Sequence, residues 1–247
     1  MPLTVRQFPC LSDNYGFLIR DEVTGVTACV DTPDAAAILR EVAAFGGRLD
    51  FILNTHWHPD HAGGNAEIKA ATGAVVVGPA EVERIARVDR LVVEGDVVEL
   101  GETRLQVLDT GGHTLQHITY FDPEDRIAFV GDTLFALGCG RLFEGTPTQM
   151  WRSLQKIAHL PDDTTIYCAH EYTASNARFA LSVDDSAALK ARAAEVFAAR
   201  ERDEPTVPTT VALEKATNPF LRAPVLRPSL APAEAFADVR RAKDVFQ

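Results

Sequence analysis

The segment that most constrains this chain is THWHPDHAGG, residues 55–64, because it places four metal-binding side chains within six positions. They are His56, His58, Asp60 and His61. In an extended or turning backbone, residues two apart point to the same side, so His56 and His58 can hold one cation together. Asp60 and His61 follow directly and can serve a second cation. Imidazole and carboxylate donors without a thiolate are typical of an open catalytic site for zinc, manganese or iron.

The sequence on either side of this segment predicts regular structure. Residues 51–54 form a short apolar run that predicts a strand, and residues 63–70 predict a helix. We expect Gly63 and Gly64 to let the backbone turn tightly into that helix.

Composition and charge exclude whole classes of protein. The 247 residues include 24 Lys and Arg against 35 Asp and Glu, a net charge of −11, which disfavours binding to nucleic acid or to anionic membranes. No apolar run approaches the ~18 residues of a membrane-spanning helix, and the first residues lack the apolar core of a signal peptide. The four cysteines form no CxxC pair, so we expect reduced thiols and a cytoplasmic protein.

The character of the chain changes near residue 172. Residues 1–172 alternate short β-rich runs with turns and a few helices, which predicts an α+β domain. Residues 173–247 combine two predicted helices, at 186–202 and 233–245, with Pro-rich stretches. We therefore predict a catalytic domain over residues 1–172 and a small helical domain over residues 173–247.

The histidine-rich segment resembles the HxHxDH signature of the metallo-β-lactamase superfamily. Each further motif position of that superfamily is filled here: Asp31 in ACVDTP, His113 in GGHTLQHI, Asp132 in FVGDTLF and His170 in YCAHEYT. The resemblance implies an αββα sandwich, which in this chain is followed by the small C-terminal helical domain. It also implies that Asp31 supports the metal ligands rather than binding a metal itself.

The same resemblance implies two divalent cations per chain, with zinc expected and iron or manganese as alternatives. One cation would be held by His56, His58 and His113. The other would be held by Asp60, His61 and His170, with Asp132 bridging the two. The remaining histidines, His117 and His159, are interpreted as structural.

Three further stretches resemble one family of that superfamily, glyoxalase II. They are GDTLFALGCGRLFEGT at residues 131–146, AHEYTASN at residues 169–176, and a tail that contains TNPFLR and VRRAKD. The resemblance implies hydrolysis of S-D-lactoylglutathione to D-lactate and glutathione, the second step of methylglyoxal detoxification. A metal-bridging hydroxide would attack the thioester carbonyl, with Asp60 and Asp132 as the catalytic carboxylates.

A glutathione thioester is a net anion, so an acidic protein needs a local cationic site to hold it. Arg240 and Lys243 are three residues apart on a predicted helix and share a face, although a helix C-terminus favours cations for its own sake. The resemblance implies that Arg141, Arg240 and Lys243 bind the glycine carboxylate of the substrate. It implies that Tyr172 and Asn176 assist them.

Three positions depart from the pattern of the family. Phe143 stands where many members have an aromatic hydroxyl, Arg141 stands where lysine is common, and Gln116 replaces a glycine. We expect these differences to alter the affinity for glutathione thioesters rather than the hydrolysis.

Other functions are compatible with parts of the pattern. A persulfide dioxygenase on this fold would use one iron held by two histidines and an aspartate, so the intact set of Asp60, His61 and His170 argues against it. A lactonase or β-lactamase would not explain the basic tail, a nuclease is disfavoured by the charge, and a catalytically silent metal-binding protein would not need a complete ligand set. We expect a monomer whose only partner is the small-molecule thioester.

Overall fold

The computed structural model describes residues 3–246, which form two compact units. The first unit contains Met1–Asp109 and Gln116–Gly131, within the described range, and the second contains Thr110–Leu115 and Asp132–Gln247, within the same limits. The predicted division at residue 172 concerns catalytic and substrate-binding domains, and it stays a prediction.

The first unit contains a six-stranded sheet. Its strands, in their order across the sheet, are β1 (Leu3–Cys10), β2 (Asn14–Asp21), β3 (Thr27–Val30), β4 (Phe51–Leu53), β5 (Val75–Gly78) and β6 (Arg90–Leu91). The first three strands are antiparallel, and β3 to β6 run parallel. The parallel strands β3 and β4 are short, largely buried apolar runs, as expected for strands that are covered on both faces.

Four antiparallel strands complete the β-structure of this unit. They are β7 (Val97–Leu100), β8 (Thr103–Asp109), β9 (Ile118–Asp122) and β10 (Ile127–Gly131), paired in that order. Side chains of β8 alternate between buried and exposed over most of its length, whereas all five of β9 are buried. The strand β8 therefore presents one face to solvent, and β9 lies inside the unit.

Helices of the first unit begin where the sequence provides a cap or a proline. Helix α1 (Ala35–Ala44) is capped by Asp34, whose carboxylate accepts a hydrogen bond from the Ala37 N–H at 3.0 Å. Helix α2 (Pro59–Ala62) has proline at its first position, where the missing N–H costs nothing. Helix α3 (Asn65–Thr72) follows, and its Ile68 is fully buried in the core of the unit.

The two glycines between α2 and α3 are required because backbone carbonyl groups lie close to their Cα atoms, and not because their φ angles are unusual. Both have right-handed helical conformations, with φ of −66° at Gly63 and −81° at Gly64. A Cβ atom would lie 2.4 Å from the carbonyl oxygen of Pro59 at Gly63, and 2.8 Å from that of Thr32 at Gly64. Gly63 and Gly64 are therefore needed because a side chain at either position would clash with the backbone. The helix predicted at residues 63–70 begins at Asn65.

The second unit is built mainly from helices. They are α4 (Pro147–Ala158), α5 (Thr173–Val183), α6 (Ala187–Glu201), α7 (Val211–Thr217), α8 (Ala223–Leu226) and α9 (Pro232–Asp244). Its strands form a small hairpin, β11 (Leu134–Phe135) with β12 (Gly138–Cys139), and a second pair, β13 (Thr165–Cys168) with β14 (Thr209–Thr210). Across residues 3–246, no helix has both the length and the apolar character needed to cross a bilayer.

A buried ionic cluster ties several of these elements together. The carboxylate of Glu214 in α7 is fully buried and accepts hydrogen bonds from Arg192 in α6, from the Thr209 hydroxyl at 2.6 Å and from the Asn218 amide at 2.9 Å. It also accepts the backbone N–H of Leu137, in the hairpin loop, at 3.0 Å. A buried charge is tolerated when it is paired and hydrogen-bonded in this way, so the cluster fixes the hairpin against the helices.

Candidate active site

His56 and His58 lie on the loop that follows β4, with their imidazole rings nearly perpendicular. The Nε2 atom of His56 is 3.0 Å from the Nδ1 atom of His58. The Thr55 hydroxyl lies 2.8 Å from a carboxylate oxygen of Asp31 and 3.0 Å from Nδ1 of His56. Because a hydroxyl that donates to the carboxylate accepts from the ring, His56 keeps its proton on Nδ1 and directs the Nε2 lone pair towards His58.

His61 in α2 is buried and is oriented by Asp31. Its Nδ1 atom lies 2.8 Å from Oδ2 of Asp31, and its Nε2 atom lies 3.5 Å from Oδ2 of Asp60. Asp31 has a left-handed backbone with φ of +58° and accepts from both the N–H and the hydroxyl of Thr55. A strained aspartate held by so many contacts fixes the orientation of the His61 imidazole.

His117, which the sequence indicated as structural, is fully buried and stacks on His56, with ring centroids 4.8 Å apart. Gly131 makes this possible, because a Cβ there would lie 2.6 Å from both His117 Nε2 and the Thr55 hydroxyl. Gly131 also has φ of +47°, in the region that favours glycine. His117 therefore packs behind a candidate ligand, whereas His159 is exposed and bonds to the Gln155 carbonyl oxygen one turn earlier in its helix.

In the second unit, one carboxylate lies between two imidazoles. The Oδ2 atom of Asp132 is 3.3 Å from Nε2 of His113, and its Oδ1 atom is 3.3 Å from Nε2 of His170. All three side chains are buried. Each oxygen of the carboxylate thus faces a different histidine, which is the arrangement that a bridging ligand requires.

His113 is held by the loop that follows the hairpin. Its Nδ1 atom lies 2.8 Å from the backbone carbonyl oxygen of Arg141, which can only accept a hydrogen bond. The proton is therefore on Nδ1, and the Nε2 lone pair faces Asp132. The neighbouring Gly140 is tightly packed, since a Cβ there would lie 2.0 Å from the Asp132 carbonyl oxygen.

A cavity of about 500 Å³ opens beside these residues, within the second unit. His113 and Asp132 line it together with three cationic side chains, those of Arg141, Arg240 and Lys243. The cavity therefore combines the imidazole and carboxylate groups of the candidate metal ligands with positive charge.

Arg240 is buried and already has partners in the protein. One guanidinium nitrogen donates to the Cys139 carbonyl oxygen at 3.0 Å, and another lies 2.8 Å from Asp244. The guanidinium carbon is 4.9 Å from the ring centroid of Phe220, in a cation–π contact. Arg240 therefore supports the wall of the cavity as well as giving it charge.

Lys243 is half-buried and lies in a mainly cationic surrounding. Its Nζ atom is 3.3 Å from the Ser175 carbonyl oxygen and 3.4 Å from the Ser175 hydroxyl. Burial lowers the pKa of the Lys243 ammonium from 10.5 to about 8. The positive charges of three neighbouring guanidinium groups also lower this pKa, and they belong to Arg240, Arg141 and Arg178.

Tyr172, Asn176 and Phe143 also line the cavity. The Tyr172 ring stacks on His170 with centroids 4.6 Å apart, whereas the buried Asn176 amide donates to the Ala136 carbonyl oxygen at 3.1 Å. The exposed Phe143 contacts His113 edge-on, with centroids 5.2 Å apart. Sequence analysis named these residues but gave no role to the lining residues Ser175, Asp244 and Phe246. Ser175 and Asp244 lie within AHEYTASN and VRRAKD, the stretches that resemble the family.

The donor chemistry of both units fits divalent cations. Two nitrogen ligands at about 2.0–2.1 Å from a tetrahedral zinc are themselves ~3.3 Å apart, close to the His56–His58 separation. The hydrogen-bonded Nδ1 atoms of His56, His61 and His113 leave Nε2 as the donor atom in each, and such outer partners are typical of metal-binding histidines. His/Asp clusters on this fold indicate divalent metal binding.

Comparison with known proteins agrees with these features. A family model described as the metallo-beta-lactamase superfamily matches residues 28–170, and one described as the hydroxyacylglutathione hydrolase C-terminus matches residues 171–246. A hydroxyacylglutathione hydrolase of Erythrobacter litoralis is 55% identical over 250 residues, which cover 99% of this chain and 100% of that protein. One of Maricaulis maris is 57% identical over 253 residues, with 99% of each chain covered.

Among solved structures, ETHE1 from Myxococcus xanthus superposes with a TM-score of 0.74 at 25% identity, covering 99% of this chain and 92% of that one. The α+β fold expected from the sequence, with its helical C-terminal region, is confirmed. The chain therefore belongs to the hydroxyacylglutathione hydrolase family of the metallo-β-lactamase superfamily.

Proposed function

We propose that this protein hydrolyses S-D-lactoylglutathione, and related glutathione thioesters, to D-lactate and glutathione, the second step of methylglyoxal detoxification. The observation that carries the proposal is the cavity of the second unit. One cavity contains candidate metal ligands, His113 and Asp132, and a cationic group suited to a peptide carboxylate. A generic metallo-hydrolase has no need of the second feature.

The proposed metal ligands are those implied by the family. His56, His58 and His113 would hold one cation, and Asp60, His61 and His170 the other, with Asp132 shared between them. Zinc is the proposed metal, with iron or manganese as alternatives. When bound, such cations supply Lewis-acid chemistry that activates water for attack on a carbonyl group.

The chain's own residues prepare this chemistry by fixing the orientation of the candidate ligands and the ring nitrogen that carries the proton in each histidine. The Arg141 carbonyl keeps the His113 proton on Nδ1, and Asp31 holds His61 in the same way. Asp60 accepts a hydrogen bond from the Asn14 amide at 3.2 Å, which limits its movement. Asp60 and Asp132 are proposed as the carboxylates that act on the reacting groups. In the net reaction the C–S bond breaks, a C–O bond forms, and one proton of water passes to the thiolate.

Substrate binding is proposed for residues of the second unit. Arg141, Arg240 and Lys243 would attract the glycine carboxylate, since ion pairs in a partly buried cavity are stronger than those on an open surface. Tyr172 and Asn176 would line the path of the peptide. On this proposal residues 173–247 are the substrate-binding domain, and residues 1–172 are the catalytic domain.

The test is a kinetic panel on protein whose metal content has been measured. We expect turnover of S-D-lactoylglutathione with a much lower KM than for a thioester of a small neutral thiol that carries the same acyl group. Equal KM values for the two substrates would refute binding of the peptide, and absence of turnover at full metal content would refute the activity.

The remaining proposals concern the surroundings of the protein. We propose a cytoplasmic monomer that acts on a small molecule and binds neither nucleic acid nor membranes. The net charge of −11 supports the last two points, because phosphate-rich surfaces repel an acidic protein. Sedimentation of the metal-loaded protein tests the monomer.

A further inference from the structure

Arg178 in α5 is a cation that the proposed function does not use. It is exposed and lies three residues after Ser175, so the two side chains are neighbours on one face of the helix. Ser175 lines the cavity and accepts hydrogen bonds from Lys243. Arg178 therefore lies one helical turn beyond the cationic part of the cavity.

Neither Arg178 nor Lys243 has a carboxylate within 4.0 Å among residues 3–246. Arg178 lies over the Phe197 ring, whose centroid is 6.0 Å from the guanidinium carbon. Arg141, Arg240 and Lys243 line the cavity, and Arg178 lies one helical turn from the lining residue Ser175, so the four side chains form a cationic cluster. In agreement with this placement, the three guanidinium groups lower the pKa of Lys243. Two carboxylates line the cavity, and both already have partners: Asp132 lies between His113 and His170, and Asp244 is paired with Arg240.

A cluster of like charges is unfavourable by itself, and more so when water is partly excluded. In a chain of net charge −11, acidic side chains are plentiful, yet none neutralises these two cations. The arrangement favours an anionic ligand that carries more than one negative group, spaced so that one group enters the cavity and another remains at its edge.

Glutathione has such spacing, because its glycine and γ-glutamyl carboxylates lie at opposite ends of a tripeptide that spans roughly 10 Å. We propose that Arg178 is a specificity-determining residue that binds the γ-glutamyl carboxylate, while the inner cations bind the glycine carboxylate. This inference rests on the proposed function. The contact would let the protein select thioesters whose thiol part carries a γ-glutamyl group. The cations inside the cavity, which bind the glycine carboxylate, cannot provide this selection.

The experiment compares two thioesters on wild-type protein and on Arg178→Gln. One is S-D-lactoylglutathione, and the other is the D-lactoyl thioester of N-acetylcysteinylglycine, which keeps the glycine carboxylate and lacks the γ-glutamyl group. The proposed ion pair between Arg178 and the γ-glutamyl carboxylate is exposed to solvent. We therefore expect KM for the glutathione thioester to rise about two- to fivefold in Arg178→Gln at low salt, with kcat unchanged. The KM for the shorter thioester should not change, and Arg178→Lys should retain most of the wild-type KM.

Arg152→Gln in α4 is the matched control. Arg152 is exposed, forms no ion pair with any residue in the range 3–246 and is not part of the cavity lining, so its loss changes the net charge equally. We expect both KM values to remain at the wild-type level in this variant.

Two results would overturn the inference: an unchanged KM for the glutathione thioester in Arg178→Gln, or an equal rise in KM for both thioesters. Failure of the proposed function looks different, because the wild-type protein itself would then turn over neither thioester at full metal content.

Discussion

The Nδ1 atom of His113 lies 2.8 Å from the backbone carbonyl oxygen of Arg141. One hydrogen bond thus joins a candidate metal ligand to the residue whose side chain gives positive charge to the cavity. The contact fixes the ring through the backbone of the loop, so a change of the Arg141 side chain leaves it in place. A change in the path of the loop would remove it.

Gly140→Ala tests this coupling. The new Cβ would lie 2.0 Å from the Asp132 carbonyl oxygen and 3.0 Å from His113 Nδ1, so the loop must move. Since misplacement by about 1 Å can reduce a rate about a hundredfold, we expect a loss of that order in kcat and a lower metal content by elemental analysis. Arg141→Ala is the control, and it should keep its metal and raise only KM. Normal metal content and normal kcat in Gly140→Ala would contradict the coupling.

Asp132→Ala removes the carboxylate that lies between His113 and His170. We expect kcat to fall by several orders of magnitude and the metal content per chain to decrease, because its two oxygens face the two imidazoles that are proposed as ligands of different cations. Asp162→Ala changes a surface carboxylate paired with Lys215, and it should leave both measurements unaltered. If Asp132→Ala kept two metals and near-normal turnover, the proposed ligand assignment would be wrong.

Lys243→Ala is a cleaner test of substrate binding than any change at Arg240. Arg240 is buried against the Cys139 carbonyl oxygen, so its removal leaves a buried acceptor without its donor at a cost of about 1–3 kcal/mol. For Lys243→Ala we expect KM for the glutathione thioester to rise about three- to tenfold with kcat unchanged, since the contact is the same in ground and transition states. Thermal unfolding measured in parallel should show little change. An unaltered KM would remove Lys243 from the binding site.

The pKa of Lys243, lowered to about 8, gives this contact a pH dependence. The ammonium form binds the carboxylate, and this form is complete below about pH 7 and is lost as pH rises through about 8. We therefore expect KM for the glutathione thioester to be constant below that range and to rise above it towards the Lys243→Ala value. In Lys243→Arg the guanidinium stays charged, so KM should remain constant to about pH 10. If KM for Lys243→Arg rose over the same alkaline range, the rise would come from the titration of another group.

Arg192→Met tests the buried cluster that fixes the hairpin. The Glu214 carboxylate has no exposed surface and would lose its cationic partner. Breaking such a pair from one side costs about 3–5 kcal/mol, so we expect a loss of this size in the free energy of unfolding. Arg202→Met, at an exposed pair with Glu204, should change the free energy of unfolding far less. Similar values for the two variants in denaturant titrations would show that the cluster does not stabilise the fold.

Local signals in the sequence predicted some elements closely. The helix expected at residues 186–202 is α6 (Ala187–Glu201), flanked by Ser186 and Arg202, because a long run of good helix formers ends at a polar residue on each side. The strand expected at residues 51–54 is β4 (Phe51–Leu53). Helix α5 was not predicted, since its Ser175, Asn176 and Ser182 are weak helix formers, and Asn176 is held by a contact with Ala136 that is distant in sequence.

In the candidate site too, features set by local sequence could be predicted, and features set by contacts between distant residues could not. Clustered residues such as His56, His58 and His61 can be recognised from spacing alone. The contact between His113 and the Arg141 carbonyl joins residues 28 apart through a backbone atom, so no side-chain pattern reports it. The stacking of His117 on His56 likewise depends on the fold, and the sequence indicated only that His117 was structural.

The most direct test of the central claim is the stoichiometry of the reaction of the metal-loaded protein with S-D-lactoylglutathione. D-Lactate, free thiol and dissolved oxygen are measured together in one closed vessel, with Asp132→Ala as the inactive control. Thioester hydrolysis predicts one D-lactate and one thiol for each thioester lost, with no oxygen consumed. Loss of oxygen in proportion to substrate, or no release of D-lactate by fully metal-loaded protein, would contradict it.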